Sequence, residues 1–254
     1  MEQPLKHEPY DAWSDSELLD EVLDKYSGHG RGPNPKTARA RITVKRLAFK
    51  AVVYSTYALK RVFDVVASLI AILLLSPVFL LTWAAIKIED PGPAIFTQIR
   101  VGKWGKPFTM YKFRSMVMNA EELKKKLMAQ NESSAGVIFK MKEDPRITKV
   151  GKIIRKLSID ELPQLFNVLF GHMSLVGPRP ALPIEVAEYS MEHRRRLDAL
   201  PGITCLWQIG GRSDIDFEGQ VRLDVQYIRS QGFWADFVIL LKTVPAVLLG
   251  KGAY

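Results

Sequence analysis

The sequence predicts a helix-dominated α+β protein, monotopic in a membrane, with a proline-broken re-entrant helix and one cytoplasmic domain. Three observations predict this class. Residues 65–86 form an apolar run without a charged side chain, interrupted by Ser76 and Pro77. Two strand-like stretches, residues 94–100 and 107–113, flank a glycine-containing turn and predict a β-hairpin. Most other segments have the apolar spacing of helices, some of them amphipathic and suited to a membrane interface.

Size and composition allow one ordinary domain with appendages and indicate anionic partners. The chain has 254 residues, a formal net charge of +9 and a single cysteine, Cys205. One cysteine excludes an intrachain disulfide framework and any multi-cysteine metal site. The positive charge suits anionic lipid, phosphate-bearing substrates or nucleic acid. We exclude nucleic acid, because the basic residues are interleaved with acidic ones and lack a repeated pattern of stacking aromatics.

The chain is expected to contain three segments. We interpret residues 1–43 as a flexible leader, because glycines and prolines end the short helical pattern of residues 14–26. Residues 44–90 are predicted to form a juxtamembrane segment and the re-entrant membrane helix. Basic side chains and no acidic ones occupy residues 30–46, as expected beside an anionic membrane surface. Residues 91–254 form the predicted cytoplasmic catalytic domain.

The apolar run is long enough to span a hydrocarbon core, which takes about 20 residues. A buried core helix is the alternative. Pro77 removes a backbone donor and clashes with the preceding turn, so the helix either kinks and crosses or breaks and returns. Lys60 and Arg61 precede the run and a Lys/Arg-rich domain follows it, which favours both flanks on the cytoplasmic side. We therefore predict re-entrance.

Three helices are expected after the hairpin. Residues 119–130 have Asn119 as a predicted N-cap, followed by two glutamates in the first turn. Residues 158–169 have Ser158 as a predicted N-cap, with a glutamate three residues later that would complete a capping box. Residues 233–249 are apolar and predict an amphipathic helix that lies on the domain or on the membrane.

The first candidate anion site lies at a strand-to-helix junction. Lys112 and Arg114 end the second predicted strand, while Glu121 and Glu122 open the next predicted helix. The helix N-terminus itself favours anions, so this junction suits phosphate binding. The alternative is that the two glutamates only complement the helix dipole.

Further groups of residues could hold phosphate or metal. An arginine presents a planar fork of N–H donors to a phosphate, and neighbouring carboxylates orient it or bind metal. Solvated basic helices, a capping box and ordinary turns are the alternatives at these positions. The groups are Asp144 with Arg146, Asp160 with Glu161, Arg179 between two prolines, and, more weakly, Arg212 after two glycines.

Common nucleotide-binding and hydrolase signatures are absent from the sequence. Four other stretches are informative: residues 111–116 (Tyr-Lys-Phe-Arg-Ser-Met), 158–165 (Ser-Ile-Asp-Glu-Leu-Pro-Gln-Leu), 173–180 (Met-Ser-Leu-Val-Gly-Pro-Arg-Pro) and 201–204 (Pro-Gly-Ile-Thr). In this order, behind a Ser-Pro-broken apolar segment, they resemble the monotopic bacterial phosphoglycosyl transferases, or polyprenyl-phosphate sugar transferases. The resemblance covers the chain from about residue 58 to its C-terminus, and the motifs are together highly specific.

The resemblance implies an enzyme on the cytoplasmic face of the bacterial inner membrane, with a re-entrant helix broken at Ser76 and Pro77. It implies a Mg²⁺-dependent ping-pong reaction. In that reaction the aspartate of an Asp-Glu pair takes the sugar 1-phosphate from a UDP-sugar, expels UMP and passes the group to undecaprenyl phosphate. The implied partners are the UDP-sugar, the polyprenyl phosphate and membrane lipid, while the formation of a homo-oligomer is left open.

The resemblance also assigns residues. We place the Asp-Glu pair at Glu121 and Glu122, as catalytic and metal-binding carboxylates, because the stretch that follows Arg114 contains no aspartate. A glutamate would then occupy the nucleophile position, and Asp144 or Asp160 is the alternative. The residues expected to hold the substrate are Lys112, Arg114, Asp144, Arg146, Asp160, Glu161, Arg179 and Arg212.

The expected function is the initiating step of exopolysaccharide, capsule or glycan synthesis. The missing aspartate at the assigned nucleophile position motivates one alternative. In that alternative the chain is a catalytically inactive, membrane-anchored relative that acts as a scaffold in polysaccharide assembly. No residue pattern identifies the sugar.

Overall fold

A computed structural model describes residues 35–127, 144–211 and 215–249. The chain divides into two compact units, Met1–Tyr57 and Ala58–Tyr254. The predicted leader lies outside the described residues as far as residue 34, and so does the helical pattern of residues 14–26. Residues 35–43 of the predicted leader are helical and belong to helix α1, which begins at Pro35. Proline suits the first helical position, where its missing N–H would have no partner in the helix. The boundaries at residues 43/44 and 90/91 stay predictions.

The break predicted at Ser76 and Pro77 is confirmed as a bend between two helices. A single residue, Leu75, separates helix α1 (Pro35–Leu74) from helix α2 (Ser76–Glu89). The Ser76 hydroxyl donates a hydrogen bond of 2.8 Å to the Leu73 carbonyl, which satisfies an acceptor at the helix end. No single helix among the described residues is both long and apolar enough to cross a membrane. Together, α1 and α2 are long and apolar enough to do so, but the two helices meet at a bend of 61°.

The predicted hairpin is confirmed. Strand β1 (Ile95–Val101) pairs antiparallel with strand β2 (Pro107–Phe113) around a short 3₁₀ turn, Lys103–Gly105. Helix α3 (Ala120–Leu127) follows within the predicted residues 119–130, the last three of which lie outside the described part of the chain. Strand β2 buries Phe108, Met110 and Phe113 in the core, whereas β1 is exposed along most of its length.

Helix α4 (Lys149–Lys156) is attached to the end of α2 through its N-terminus. The Glu89 carboxylate accepts hydrogen bonds of 2.7 Å and 2.8 Å from the backbone N–H groups of Lys149 and Val150. The Thr148 side chain accepts a third from Gly151. These bonds satisfy the first free donors of the helix. They also fix α4 on the domain, with Ile153 exposed to solvent.

The single helix predicted over residues 158–169 is wrong. Ser158 has a left-handed backbone (φ 54°) and its side chain caps nothing in the described chain. A 3₁₀ turn, Ile159–Glu161, follows it, and helix α5 (Gln164–Leu169) begins only after Pro163. Proline has no N–H and its ring clashes with the carbonyl four residues earlier, so one continuous helix could not pass through Pro163. The capping box is therefore absent, and the acidic pair of this segment lies on a tight turn.

The second sheet joins two of the motif stretches. Strands β3 (Ser174–Val176) and β4 (Gly202–Thr204) pair in parallel. The core packs around them, with Val168, Met173, Val176 and Tyr227 almost completely buried. The apolar C-terminal segment is a helix, as predicted. The remaining helical elements are α6 (Pro183–Ala187), α7 (Met191–Arg194), a 3₁₀ turn (Arg195–Asp198), α8 (Leu206–Gly210), α9 (Phe217–Ser230) and α10 (Phe233–Leu249).

A buried polar cluster connects α1 to β3 and α10. The Lys60 ammonium forms an ion pair with Asp236 and donates a hydrogen bond of 3.3 Å to the Val176 carbonyl. The Tyr227 hydroxyl donates to the same carboxylate at 2.7 Å. Asp64 accepts a bond of 3.1 Å from the Leu175 N–H. Because buried charges are costly unless they are paired, this cluster specifies how the apolar helix joins the domain.

Candidate active site

Three predicted site residues from three different elements meet in one cleft. Lys112 comes from β2, Glu161 from the turn before α5, and Arg179 from the loop after β3. The Lys112 ammonium lies 2.7 Å from the Glu161 carboxylate, and the Arg179 guanidinium lies 3.8 Å from the same oxygen. Lys112 and Glu161 are 16% and 19% exposed, whereas Arg179 is 39% exposed and open to a ligand.

The position of this turn relative to β2 is fixed by one buried side chain. Asn167 on α5 is completely buried. Its amide nitrogen donates 2.7 Å to the Thr109 carbonyl, and its amide oxygen accepts 2.9 Å from the Tyr111 N–H. Both bonds go to the backbone of β2, so α5 and the turn that precedes it are held beside Lys112.

The loop that carries Arg179 is held by close backbone approach between two glycines. The Gly177 N–H donates 3.0 Å to the Thr204 carbonyl, and the Gly202 N–H donates 2.8 Å to the Pro178 carbonyl. A Cβ atom on Gly202 would lie 2.0 Å from the Gly177 nitrogen, so only glycine fits. The motif stretches 173–180 and 201–204 thus meet in space and rigidly support Arg179.

Asp160 adjoins Glu161 on the same turn and is half-buried. Burial raises the pKa of its carboxyl to about 6, although the nearby cations Lys112, Arg155 and Arg179 act in the opposite direction. A carboxyl of this kind is ionised near neutral pH, yet its charge is poorly solvated. This combination suits a reactive carboxylate.

Arg100 also lines the cleft, and sequence reasoning missed it. The side chains that line the cleft include Arg100, Lys112, Glu161, Gln164 and Arg179. One signal could have found this residue. Gln98 and Arg100 are two residues apart on a strand, so both side chains project from the same face.

Three other predicted site residues have partners within the protein. Arg114 is 7% exposed, and its guanidinium pairs with the Asp90 carboxylate at 3.3 Å. Arg146 is 6% exposed and grips Asp144 through contacts of 2.6 Å to 3.1 Å. The geometry therefore does not present Arg114, Arg146 or Asp144 to the cleft. The ion pairs Arg114–Asp90 and Arg146–Asp144 compensate the cost of burying these charges, and we interpret them as structural.

The predicted pair Glu121 and Glu122 is exposed in the first turn of α3. Neither side chain makes a hydrogen bond or an ion pair with another residue in the described part of the chain, and neither lines the cleft. The expected convergence of these glutamates with Lys112 and Arg114 is not seen, because Lys112 pairs with Glu161 and Arg114 with Asp90. Arg212 lies outside the described residues.

No group of three or more potential metal-ligating side chains occurs among the residues that the structure covers. Two adjacent carboxylates, Asp160 and Glu161, lie on one turn; Glu161 lines the cleft, and Asp160 is close enough to Lys112 and Arg179 to feel their charge. Mg²⁺ is commonly bound through one or two carboxylates together with substrate phosphates, so this donor set fits a metal that arrives with its substrate.

Comparison with known proteins places the chain in a family. The profile of the bacterial sugar transferase family matches residues 55–250. The chain is 50% identical over 201 residues to the galactosyl transferase CpsE of Streptococcus agalactiae, covering 79% of this chain and 44% of that protein. It is 48% identical over 199 residues to the undecaprenyl-phosphate galactose phosphotransferase of Salmonella typhimurium, covering 77% and 42%.

A shorter relative is matched over most of its length. The exopolysaccharide production protein ExoY of Rhizobium meliloti is 42% identical over 198 residues, covering 77% of this chain and 88% of that protein. The chain thus spans less than half the length of the first two relatives and most of the third. The family match covers the broken helix from residue 55, the hairpin and the cleft. The chain belongs to the bacterial sugar transferase family.

Proposed function

We propose that this protein transfers a sugar 1-phosphate from a UDP-sugar to undecaprenyl phosphate and releases UMP. The reaction would initiate exopolysaccharide, capsule or glycan synthesis at the cytoplasmic face of the inner membrane. The names of the relatives support this proposal, since one is an undecaprenyl-phosphate galactose phosphotransferase and another an exopolysaccharide production protein. The observation that carries it is the Asp160-Glu161 pair beside the cations Lys112 and Arg179.

In this proposal Asp160 is the nucleophile. A carboxylate oxygen of Asp160 attacks the phosphorus that carries the sugar, and the bond from that phosphorus to the bridging oxygen breaks. UMP leaves with the electron pair, and the sugar phosphate remains on the aspartate. An oxygen of undecaprenyl phosphate then attacks the same phosphorus and releases the Asp160 carboxylate. Splitting the transfer in this way replaces one difficult step by two easier ones.

The cations provide the electrostatic part of the mechanism. Negative charge develops on the transferred phosphoryl group and on the leaving UMP, and fixed guanidinium and ammonium groups stabilise it. Lys112 and Arg179 are placed for this role, and Glu161 orients both of them. Mg²⁺, held by Asp160 or Glu161 with the donor diphosphate, would neutralise further phosphate charge.

The position of the reactive pair thus differs from the sequence-based placement at Glu121 and Glu122. Asp160 with Glu161 is itself an Asp-Glu pair, so no glutamate needs to replace the nucleophilic aspartate. Electrostatics favours this placement, because Glu161 pairs with Lys112 and Arg179 and Asp160 feels the charge of both, whereas Glu121 and Glu122 are exposed to solvent.

The activity can be tested with the purified full chain, Mg²⁺, undecaprenyl phosphate and a panel of UDP-hexoses and UDP-N-acetylhexosamines. We expect UMP release and labelled lipid product with at least one donor, and loss of both when EDTA removes the metal. A folded protein that releases no UMP from any donor would contradict the proposal. That result would favour the catalytically inactive scaffold.

We also propose that α1 and α2 enter the membrane as a re-entrant pair, which makes the protein monotopic. Apolar side chains cover the outside of both helices near the bend: Leu73, Leu74, Leu80 and Leu81 are each at least 65% exposed. A continuous apolar surface of this kind marks contact with lipid or another protein. The 61° bend argues for return to the entry side.

The topology predicts the location of both chain ends. Tags at the N-terminus and the C-terminus should both be inaccessible to a membrane-impermeant label in intact cells and react after permeabilisation. A periplasmic marker and a cytoplasmic marker calibrate the label. Labelling of the N-terminal tag alone in intact cells would show a crossing helix instead.

A further inference from the structure

Arg100 is a half-buried cation whose acceptors are all neutral. Its Nη1 donates 3.1 Å to the Pro180 carbonyl, while Nε and Nη2 donate 3.0 Å and 2.6 Å to the Gln98 side-chain oxygen. No carboxylate of the described chain lies within ion-pair distance of it. A guanidinium withdrawn from water without a counter-ion is unfavourable, so its place in the cleft needs an explanation.

The cleft around Arg100 has more positive than negative charge. Among the described residues that line it, three are cations (Arg100, Lys112 and Arg179) and one is a carboxylate (Glu161). The Glu161 carboxylate already forms ion pairs with Lys112 at 2.7 Å and with Arg179 at 3.8 Å. Burial, followed by the charge of Arg179, lowers the pKa of the Arg100 guanidinium to about 10, although the charges of Glu185 and Glu161 act in the opposite direction. A bound anion would relieve both the poor solvation and the repulsion between the two arginines.

The geometry leaves Arg100 with donors for such an anion. A guanidinium has five N–H groups. One each on Nε, Nη1 and Nη2 is used by Gln98 and Pro180, which leaves two. Gln98 holds two of the three nitrogens, so the fork is oriented before a ligand arrives. Pro180 directly follows Arg179, and the bond to its carbonyl therefore holds the Arg100 guanidinium on the loop that carries Arg179; both arginines line the cleft.

We propose that Arg100 binds a phosphate group of the substrate directly, acting with Arg179 as a paired guanidinium site, and that Gln98 positions it. The proposal rests on the proposed function for the identity of the substrate. The phosphate is either in the diphosphate of the nucleotide donor or in the lipid acceptor, because both carry the oxyanion that an arginine fork recognises.

The experiment compares Arg100→Gln and Arg100→Lys with the wild-type full chain. Arg229→Gln is the matched control, because Arg229 is an exposed arginine on α9 that does not line the cleft. Equilibrium binding of UDP, uridine and inorganic pyrophosphate is measured without turnover, and the KM for undecaprenyl phosphate is measured separately. A lost charge-assisted hydrogen bond weakens binding about 10- to 100-fold. We expect Arg100→Lys to recover part of the loss and Arg229→Gln to behave as wild type.

The two sources of phosphate give different results. If Arg100 binds the donor, Arg100→Gln weakens UDP and pyrophosphate binding but not uridine binding, and the KM for the lipid is unchanged. If it binds the acceptor, the KM for the lipid rises and UDP binding is unchanged. Either result supports the proposal. Binding and KM within twofold of wild type in every assay would overturn it.

An indirect effect through Arg179 is separated by a double-mutant cycle. If Arg100 only positions Arg179, Arg100→Gln has no further effect in an Arg179→Gln background, and the proposal fails. A direct contact leaves most of the effect in place. The pyrophosphate assay also separates this proposal from the proposed function. A protein that binds pyrophosphate through Arg100 but releases no UMP retains the anion site and loses only the assigned reaction.

Discussion

Replacing Asp160 by asparagine is expected to reduce UMP release by about 10³-fold or more, with the fold and membrane association unchanged. Asparagine has the same shape but no anionic oxygen, so it cannot attack phosphorus or leave as a carboxylate. Removal of a nucleophile that forms a covalent intermediate commonly costs several orders of magnitude. The measurement is single-turnover UMP release with the active donor, together with a thermal unfolding curve of each variant.

The matched control is Glu121→Gln, which makes the same carboxyl-to-amide change at an exposed position. We expect it to retain near-normal turnover. The two variants therefore distinguish the placements of the reactive pair. An inactive Glu121→Gln beside an active Asp160→Asn would return the nucleophile to α3.

The pH profile gives an independent measure of the same residue. Burial raises the pKa of Asp160 to about 6, and only its ionised form is nucleophilic. The rate of the first half-reaction should therefore fall about tenfold per pH unit below pH 6 and level off above it. A rate that stays constant down to pH 4.5 in a folded enzyme would contradict a pKa near 6 for Asp160 in the reacting complex.

Gly202→Ala is expected to have the second largest effect, on both stability and activity. The added Cβ would lie 2.0 Å from the Gly177 nitrogen and 2.7 Å from the Gly177 carbonyl oxygen, and backbone atoms cannot yield as a flexible side chain can. Separating β3 from β4 should lower the free energy of unfolding by about 3 kcal/mol. The loop of Arg179 would shift with β3, so we expect donor turnover to fall along with the midpoint of thermal unfolding.

Gly210→Ala is the control for this substitution. Gly210 lies in α8, and nothing surrounds its position within 4 Å of an added Cβ. The same methyl group should therefore be tolerated there with normal turnover and an unchanged midpoint. Equal behaviour of the two variants would show that the contact between Gly177 and Gly202 does not limit stability.

Local features of the fold could be predicted from the sequence. The break at Ser76 and Pro77, the hairpin and the C-terminal helix each depend on nearby residues: a proline inside an apolar run, two β-prone stretches around glycines, and an unbroken apolar segment. Prediction failed over residues 158–169, where Pro163 outweighed the capping pattern. A weak N-cap preference cannot compensate for the lost hydrogen bond and the clash of a proline inside a helix.

The candidate site was only partly predictable, for a physical reason. Lys112, Glu161 and Arg179 were each recognised as chemically suitable, but their meeting depends on Asn167 and on the contact of Gly177 with Gly202. Arg114 and Arg146 were expected to bind the substrate as well, but both are buried. Their guanidinium groups pair with carboxylates of the protein, Arg114 with Asp90 and Arg146 with Asp144. A sequence shows which side chains can bind phosphate but not which of them already have a partner.

The polar cluster that joins α1 to β3 has a mechanical consequence. Lys60 contacts the Val176 carbonyl, and Val176 ends the strand that leads into the Arg179 loop. Asp64 holds the preceding residue of the same strand. A change in the tilt of α1 would therefore move β3 and, with it, the loop that carries Arg179. In a bilayer the tilt of a helix depends on the hydrocarbon thickness. If α1 and α2 enter a bilayer as proposed, we expect the acyl-chain length of the lipid to change the catalytic rate, and reconstitution in vesicles of graded thickness would measure this.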